Sequence, residues 1–441
     1  MGTIGSSVCA DRRNETMNTT HSFFDRQWRW FVLGTLFLAT FLNYFDRQML
    51  GTTMDPIARQ FGLDNAQRGN LLSAFIYSYA FCHLFFGFVV DRFRNVRRFF
   101  PIMVAGWSAS TMLVGLAKSY EHILWLRMLL GVWEAANFPI CLMIISRIFP
   151  AEERSLASGV FASGAFLATL AAPPVAIYFS TRHHWQYSFL LAGALGFLWL
   201  APWLLIFRQP ERRASRWQTD SLAATAGGMP QGWHAGWGAS LVHVLRQPGF
   251  WGVALMGLGI IPSLYFATQW FPSFFTQQLD HPYDQSLAFK LSAIYFMQDV
   301  GLWAGGAAVL WLSRRGLPVL ASRKVVITCA YALMLSVLVV PRLSSINASV
   351  VFLCLYVCGI GAFLGNQHAF KQDVDRRQVA TVAALVGAIE TGFTAFVIQR
   401  VGLFTKETAD FNPVFFVLAG LATFAWVIAL VFGRPKWLRV Q

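Results

Sequence analysis

Long apolar runs, separated by short polar turns rich in arginine, dominate this chain. A bilayer-spanning helix needs about 20 mainly apolar residues. Such runs fall at 28–53, 69–90, 100–118, 122–149, 156–180, 186–207, 250–278, 287–313, 323–341, 346–370, 379–402 and 412–433. The pattern predicts an all-α membrane protein of 12 transmembrane helices, an even number that places both termini on one side. Pro173-Pro174 in the fifth run and Pro262 with Pro272 in the seventh predict kinks, whose freed backbone groups neighbouring helices must satisfy. The longest polar stretch contains Gly227-Gly228 and Pro230 and reads as a linker between two six-helix halves. The expected organisation is a polar tail over 1–27, a bundle over 28–207, a cytoplasmic linker over 208–249, a second bundle over 250–433 and a tail over 434–441. The first polar residues carry no cleavable signal-peptide pattern.

Composition agrees and removes several classes of function. The 441 residues are 56% hydrophobic and 13% charged, where a soluble protein carries about 25% charged residues. The net charge of +14 would suit a nucleic-acid binder if it formed a basic stripe. It is instead distributed by loop: 25 Lys and Arg fall on the side of the termini and the even-to-odd loops, against 8 on the other side. That asymmetry marks the termini as cytoplasmic. There is no Gly-x-x-x-x-Gly-Lys-Ser/Thr phosphate loop, so ATP does not drive this chain directly. No Cys/His cluster has metal spacing, and five of the six cysteines lie inside apolar runs. No cofactor or metal is expected. The loop from Gly87 to Arg98 has a counterpart from Gly306 to Lys324 in the second half. Paired six-helix halves with a site at their interface form a known transporter plan.

Several motifs narrow the reading. Gly87-Phe-Val-Val-Asp91-Arg92-Phe-Arg94-Asn-Val-Arg97-Arg98 resembles the loop signature of the major facilitator superfamily, with Arg94 where glycine is usual and slightly stretched spacing. Asn43-Tyr44-Phe45-Asp46-Arg47 and Arg127-Met-Leu-Leu-Gly131-Val-Trp-Glu134-Ala-Ala-Asn137-Phe138-Pro139 resemble the first and fourth helices of its anion:cation symporter family, the carriers of hexuronates, aldarates and galactonate. Asp299-Val300-Gly301 and Arg314-Arg315-Gly316 resemble the hexuronate branch. The second-half loop lacks the acidic residue of the signature, which argues against a symmetric cytoplasmic gate.

Ionisable residues within membrane segments are the natural candidates, because a charge at mid-bilayer costs from ~3 to over ~10 kcal/mol. Arg127 and Glu134 are seven apart, hence two turns apart on one helical face, with Gly131 leaving room between them for a neighbour or a ligand. The resemblance implies that Arg47 meets the substrate carboxylate, that Asp46 and Glu134 handle the coupling proton, and that Arg127 holds Glu134 ionised. The chemistry agrees: arginine stays charged and forks onto a carboxylate, while burial lets a carboxylate take up a proton. The alternative is a static Arg127–Glu134 brace. Tyr44, Tyr79, His83, Tyr265 and Gln269 are candidates to line the substrate site, with packing as the alternative for His83. Asp299 and Asn137 are possible additions, and Glu390 reads as structural. Asp91, Arg92, Arg97 and Arg98 read as a cytoplasmic gate, with Glu153 as a counter-charge.

The expected function is proton-coupled symport of a hexuronate or related sugar-acid anion by a monomeric, multi-pass protein of the bacterial inner membrane. The partners are the organic anion and lipid, not nucleic acid, and no enzymatic activity is expected. The alternatives are a proton- or sodium-coupled carrier of an aromatic acid, an aldonate or phosphate, or a non-transporting receptor or enzyme on the same fold.

Overall fold

The computed structural model describes residues 5–89, 96–149, 151–206, 237–343, 345–375, 379–407 and 409–432, and these are all-helical apart from turns. In chain order the helices are α1 (Gly5–Phe61), α2 (Asn65–Val89), α3 (Val96–Val114), α4 (Tyr120–Glu134), α5 (Asn137–Ile148), α6 (Ala151–Arg182) and α7 (Gln186–Ile206). The short α8 (Trp237–Leu245) is followed by α9 (Pro248–Gln277), α10 (Gln285–Arg314), α11 (Val319–Met334), α12 (Ile346–Val374), α13 (Val379–Phe404) and α14 (Asn412–Phe432). Ten helical stretches among the described residues are long and apolar enough to cross a membrane. α1, with Asp46 and Arg47 in its middle, and α3, which begins Val96-Arg97-Arg98, are outside that set.

Helix limits follow local chemistry. α2 opens on a capping box, in which Asp64 Oδ1 accepts from the Gln67 backbone N–H at 2.7 Å and Gln67 Oε1 accepts from that of Asp64 at 3.1 Å. α1 and α10 each run into a glycine of positive φ, Gly62 and Gly316, the left-handed residue that closes a helix end. The fourth apolar run, expected as one helix, is broken at Ala135-Ala136 into α4 and α5. Pro139 has no N–H for the carbonyl of Ala135, four residues back, and the helix yields there.

The packing pattern repeats between the first seven helices and α9–α14. α1 packs on α6 as α9 packs on α13, α3 on α7 as α11 on α14, and α2 on α4 as α10 on α12. Contacts across the two sets obey the same equivalence: α1 meets α9, α2 meets α13, and α6 meets α10. The α2–α13 crossing is backbone to backbone. A Cβ on Gly402 would lie 2.3 Å from the Asn65 carbonyl oxygen and 2.9 Å from Gly69 Cα. Residues 207–236, most of the expected linker, lie outside the described residues.

Candidate functional site

The site is assembled from the middle of α1. Asp46 and Arg47 are consecutive and so project in different directions. Arg47 turns toward α2, α4 and the second set of helices. Its Nε donates to Glu134 Oε2 at 2.7 Å, an ion pair in which the glutamate is wholly buried. Three aromatic rings surround the guanidinium, with centroids 4.3 Å (Tyr79), 4.7 Å (Tyr44) and 5.2 Å (Phe75) from Cζ. Each such contact contributes ~0.5–2 kcal/mol depending on desolvation, and together they fix the plane of the fork. Tyr265, on α9, completes the cluster from the other set, within electrostatic reach of Arg47, Tyr44, Tyr79 and Glu134.

No hydrogen bond joins Arg127 to Glu134, and Arg127 acts on that carboxylate through its charge alone. Two turns of rise, ~10 Å, separate their backbones, whereas Arg47 reaches the carboxylate directly from the neighbouring helix. Arg127 lies over the Phe75 ring at 5.0 Å, and none of its three side-chain nitrogens makes a hydrogen bond. It remains near enough to Asp46 and Glu134 to feel both charges. Gly131 makes room for a neighbour: a Cβ there would lie 2.2 Å from Ser78 Oγ and 2.6 Å from the Phe75 carbonyl oxygen, so α2 rests directly on α4.

The other expected residues divide. His83 stacks on Tyr79 at 5.3 Å, and its Nδ1 lies 3.4 Å from the carbonyl oxygen of Ala135. That carbonyl is the one Pro139 leaves without a helical donor, so a tautomer protonated on Nδ1 caps the break, and packing accounts for this histidine. Gln269, one turn beyond Tyr265, is buried with its Oε1 unpartnered, beside the α1–α9 contact at Gly51. Asn137 bonds weakly to Thr40 and Cys141, and Asp299 is half-buried on α10. Glu390 is buried and paired with Lys371 at 2.8 Å, tying α13 to α12. Asp91, Arg92 and the side chain of Arg97 lie outside the described residues, and Arg98 is exposed. Glu153, expected to face that loop, pairs with Arg29 at 2.9 Å.

A second polar cluster went unrecognised in the sequence. α1 continues past residue 53 to Phe61, carrying Asp55 into the interface between the two sets of helices. Arg68 Nη1 donates to Asp55 Oδ1 at 2.6 Å, and Ser273 and Thr276 of α9 donate to the same carboxylate. Around it, Asn65 donates to the Thr405 carbonyl at 3.0 Å, Gln399 to Asn70 at 2.8 Å, and Tyr283 to the Thr52 carbonyl at 2.9 Å. Apart from the Arg68–Asp55 pair, which joins α1 to α2, these bonds cross between the two sets at the end bearing the α1–α2 turn. At the opposite end, the ion pairs Arg29–Glu153 and Lys371–Glu390 each stay within one set. Losing one member of a buried pair costs up to ~3–5 kcal/mol, and a third of that moves an even open–closed balance about tenfold. Asp55→Asn is therefore expected to open this end. Spin labels on the ends of α2 and α13, in a cysteine-free background, should report a longer distance population; an unchanged distribution would refute the latch.

Two equivalent sets of apolar helices, closed at one end around a charge cluster to which both contribute, form a membrane transporter and not an enzyme. The chain belongs to the Major Facilitator Superfamily, whose sequence pattern matches residues 36–397. It is 26% identical over 396 residues to the hexuronate transporter of Escherichia coli K12, covering 89% of this chain and 90% of that one. It is also 26% identical over 355 residues to the D-galactonate transporter of Escherichia coli O6:H1, covering 77% and 79%. Among solved structures it resembles the bacterial homologue of the human lysosomal transporter Spinster, in an inward-facing and unoccupied conformation. That match has a TM-score of 0.70 and 17% identity, and it covers 93% of this chain and 96% of that chain.

Proposed function

We propose that this protein is a proton-coupled symporter that carries a hexuronate or a related sugar-acid anion by alternating access across a bacterial inner membrane. In this reading α1 and α3 also span the bilayer, giving twelve crossings with both termini cytoplasmic. The 25-to-8 split of basic residues supports that orientation. The latched end then faces outward and the conformation is inward-facing. One chain supplies both sets of helices, so a monomer suffices.

The observation that carries the reading is the Arg47–Glu134 bond at 2.7 Å inside the ring of Tyr44, Tyr79 and Tyr265. A guanidinium at mid-bilayer is an anion receptor, and its fork matches a carboxylate. The tyrosines place hydroxyls and ring faces around it, the groups that read a polyol acid. Glu134 and a substrate carboxylate compete for the same cation. Protonating Glu134 removes the competitor, so proton and anion each favour binding of the other, and by linkage the effect is reciprocal.

Uptake into vesicles of labelled galacturonate, glucuronate, galactonate and glucarate tests this, under a pH gradient, a sodium gradient or none. At one proton per anion, one pH unit supports about tenfold accumulation, each factor of ten being about 1.4 kcal/mol. At least one of these acids is expected to accumulate with the pH gradient and not with sodium. If none does, the reading fails.

A further inference from the structure

The second set of helices holds an ion pair that the Arg47 cluster does not use. Glu390 on α13 is almost wholly buried. Its Oε2 accepts from Lys371 Nζ at 2.8 Å and its Oε1 accepts from Gln367, both on α12. Room for the carboxyl comes from α9, where a Cβ on Gly257 would lie 1.8 Å from Glu390 Oε1. Holding α12 to α13 does not explain the pair. Well-packed apolar residues often stabilise a buried contact as much as a salt bridge does, or more, and a charge within a membrane helix is costly to keep. Lys371 also has donors left over. Its ammonium carries three, and Glu390 is its one partner among the described residues.

The pair borders the space between the two sets. On α13, Phe396, Leu403 and Phe404 form an exposed apolar side. Gly387 precedes Phe396 by nine residues, two and a half turns, and so lies on the opposite side of the helix. Among the described residues, a Cβ there would meet nothing within 4 Å. Fifteen residues further along, Gly402 rests on the backbone of α2, so the sets touch at that level and have parted at Gly387. On α12, Val351 and Leu355 are exposed toward the latched end. Lys371 follows Leu355 by sixteen residues, about four and a half turns, and lies on the other side. His368, one turn before Lys371 and close to it, is exposed. The ammonium therefore stands at the cavity wall with the carboxylate behind it, their side chains 12% and 3% exposed.

The spacing from Arg47 restricts the ligand. Tyr265 of α9 stands with the Arg47 cluster. Gly257 of the same helix, against Glu390, lies just over two turns away, a rise of ~12 Å. An extended six-carbon chain places its end carbons about 6 Å apart, and a hydrogen bond of about 3 Å at each end brings its reach to about 12 Å. One such acid can hold Arg47 by one end and Lys371 by the other. At the far end, a carboxylate offers the ammonium two oxygens that only accept, and pairs its charge with it, whereas a hydroxyl offers one oxygen and no charge. Glu390 does not bar that carboxylate, because both its oxygens are bonded to α12 and the ammonium lies between it and the cavity.

We propose that Lys371, oriented by Glu390 and Gln367, is a second carboxylate subsite, and that the preferred substrate is a six-carbon dicarboxylate, an aldarate, held between Arg47 and Lys371. The subsite rests on the sugar-acid reading above and names its class. His368 lies beside the same carboxylate, while Glu390 and Gln367 are positioning residues.

Galactonate and galactarate test this, because they share a carbon chain and its hydroxyls and differ only at C6, a hydroxymethyl group in one and a carboxylate in the other. Titration calorimetry of the full-length protein at pH 7 should show galactarate bound about tenfold or more tightly, the scale of one hydrogen bond between charged groups. Lys371→Met alone strands Glu390, so the double variant Lys371→Met/Glu390→Gln decides. It should bind galactonate within about twofold of wild type and lose the preference for galactarate, while Lys371→Arg should keep it. Thermal unfolding in detergent checks that the variants fold. A pair that merely braces the helices would lower the unfolding temperature and leave the ratio of the two affinities unchanged, which overturns the subsite. A wild type that binds galactonate as tightly as galactarate also overturns it and leaves the sugar-acid reading standing. A wild type that binds neither overturns it too, and if none of the four acids tested above accumulates under a pH gradient, the sugar-acid reading falls with it.

Discussion

Arg47→Ala should abolish sugar-acid binding and transport while leaving a folded protein. Hydrogen bonds to charged groups contribute ~1.5–3 kcal/mol each, and an arginine fork onto a carboxylate makes two of them. Their loss weakens binding at least ~100-fold. The variant also leaves Glu134 wholly buried without its cation, a state that the carboxyl relieves by remaining protonated. Residual binding should therefore lose its dependence on pH as well as its strength. Arg47→Lys keeps the charge but loses the fork and the stacking between Tyr44 and Tyr79, so it should fall between wild type and alanine. Titration calorimetry with galacturonate measures both variants, and thermal unfolding in detergent confirms that they fold. Binding by Arg47→Ala within about twofold of wild type, a difference of only ~0.4 kcal/mol, would mean that the anion is held elsewhere.

Much of this architecture was legible in the sequence, and what escaped did so for identifiable reasons. Helix positions were readable because spanning a bilayer demands sustained apolar runs, and the ends of α2, α7, α9, α10, α13 and α14 lie within a few residues of those runs. Asp46, Arg47, Arg127 and Glu134 stood out because charge is costly in an apolar helix. Which arginine would hold Glu134 was not readable. Spacing along α4 shows that Arg127 shares a face with it, but nothing in one sequence shows how closely α1 brings Arg47. Asp55 was missed because Thr52, Thr53, Asp55 and Arg59 look like the start of a loop. The actual stop signal is Gly62, and α1 runs helically up to it. The latch depends on partners more than 200 residues away, Ser273 and Thr276, which no local pattern announces.

Glu134→Gln should separate binding from energy coupling. Glutamine keeps the shape of the side chain and an acceptor for Arg47, but it cannot change charge. In the wild type the ionised Glu134 competes with the substrate carboxylate for one guanidinium, so anion affinity should rise as pH falls and the competitor is neutralised. The variant fixes that competitor in a neutral form at every pH. Its affinity should be nearly independent of pH and, above neutrality, higher than that of the wild type. Exchange of substrate for substrate needs only Arg47, the tyrosines and the rocking of the two helix sets, so counterflow should persist. Accumulation against a gradient should disappear, because a site that no longer exchanges a proton cannot draw on the proton gradient. The two readouts must part company. A variant that loses counterflow and accumulation together would make Glu134 a structural brace for Arg47, and one that still accumulates substrate with the wild-type pH profile would move the coupling proton to Asp46 alone.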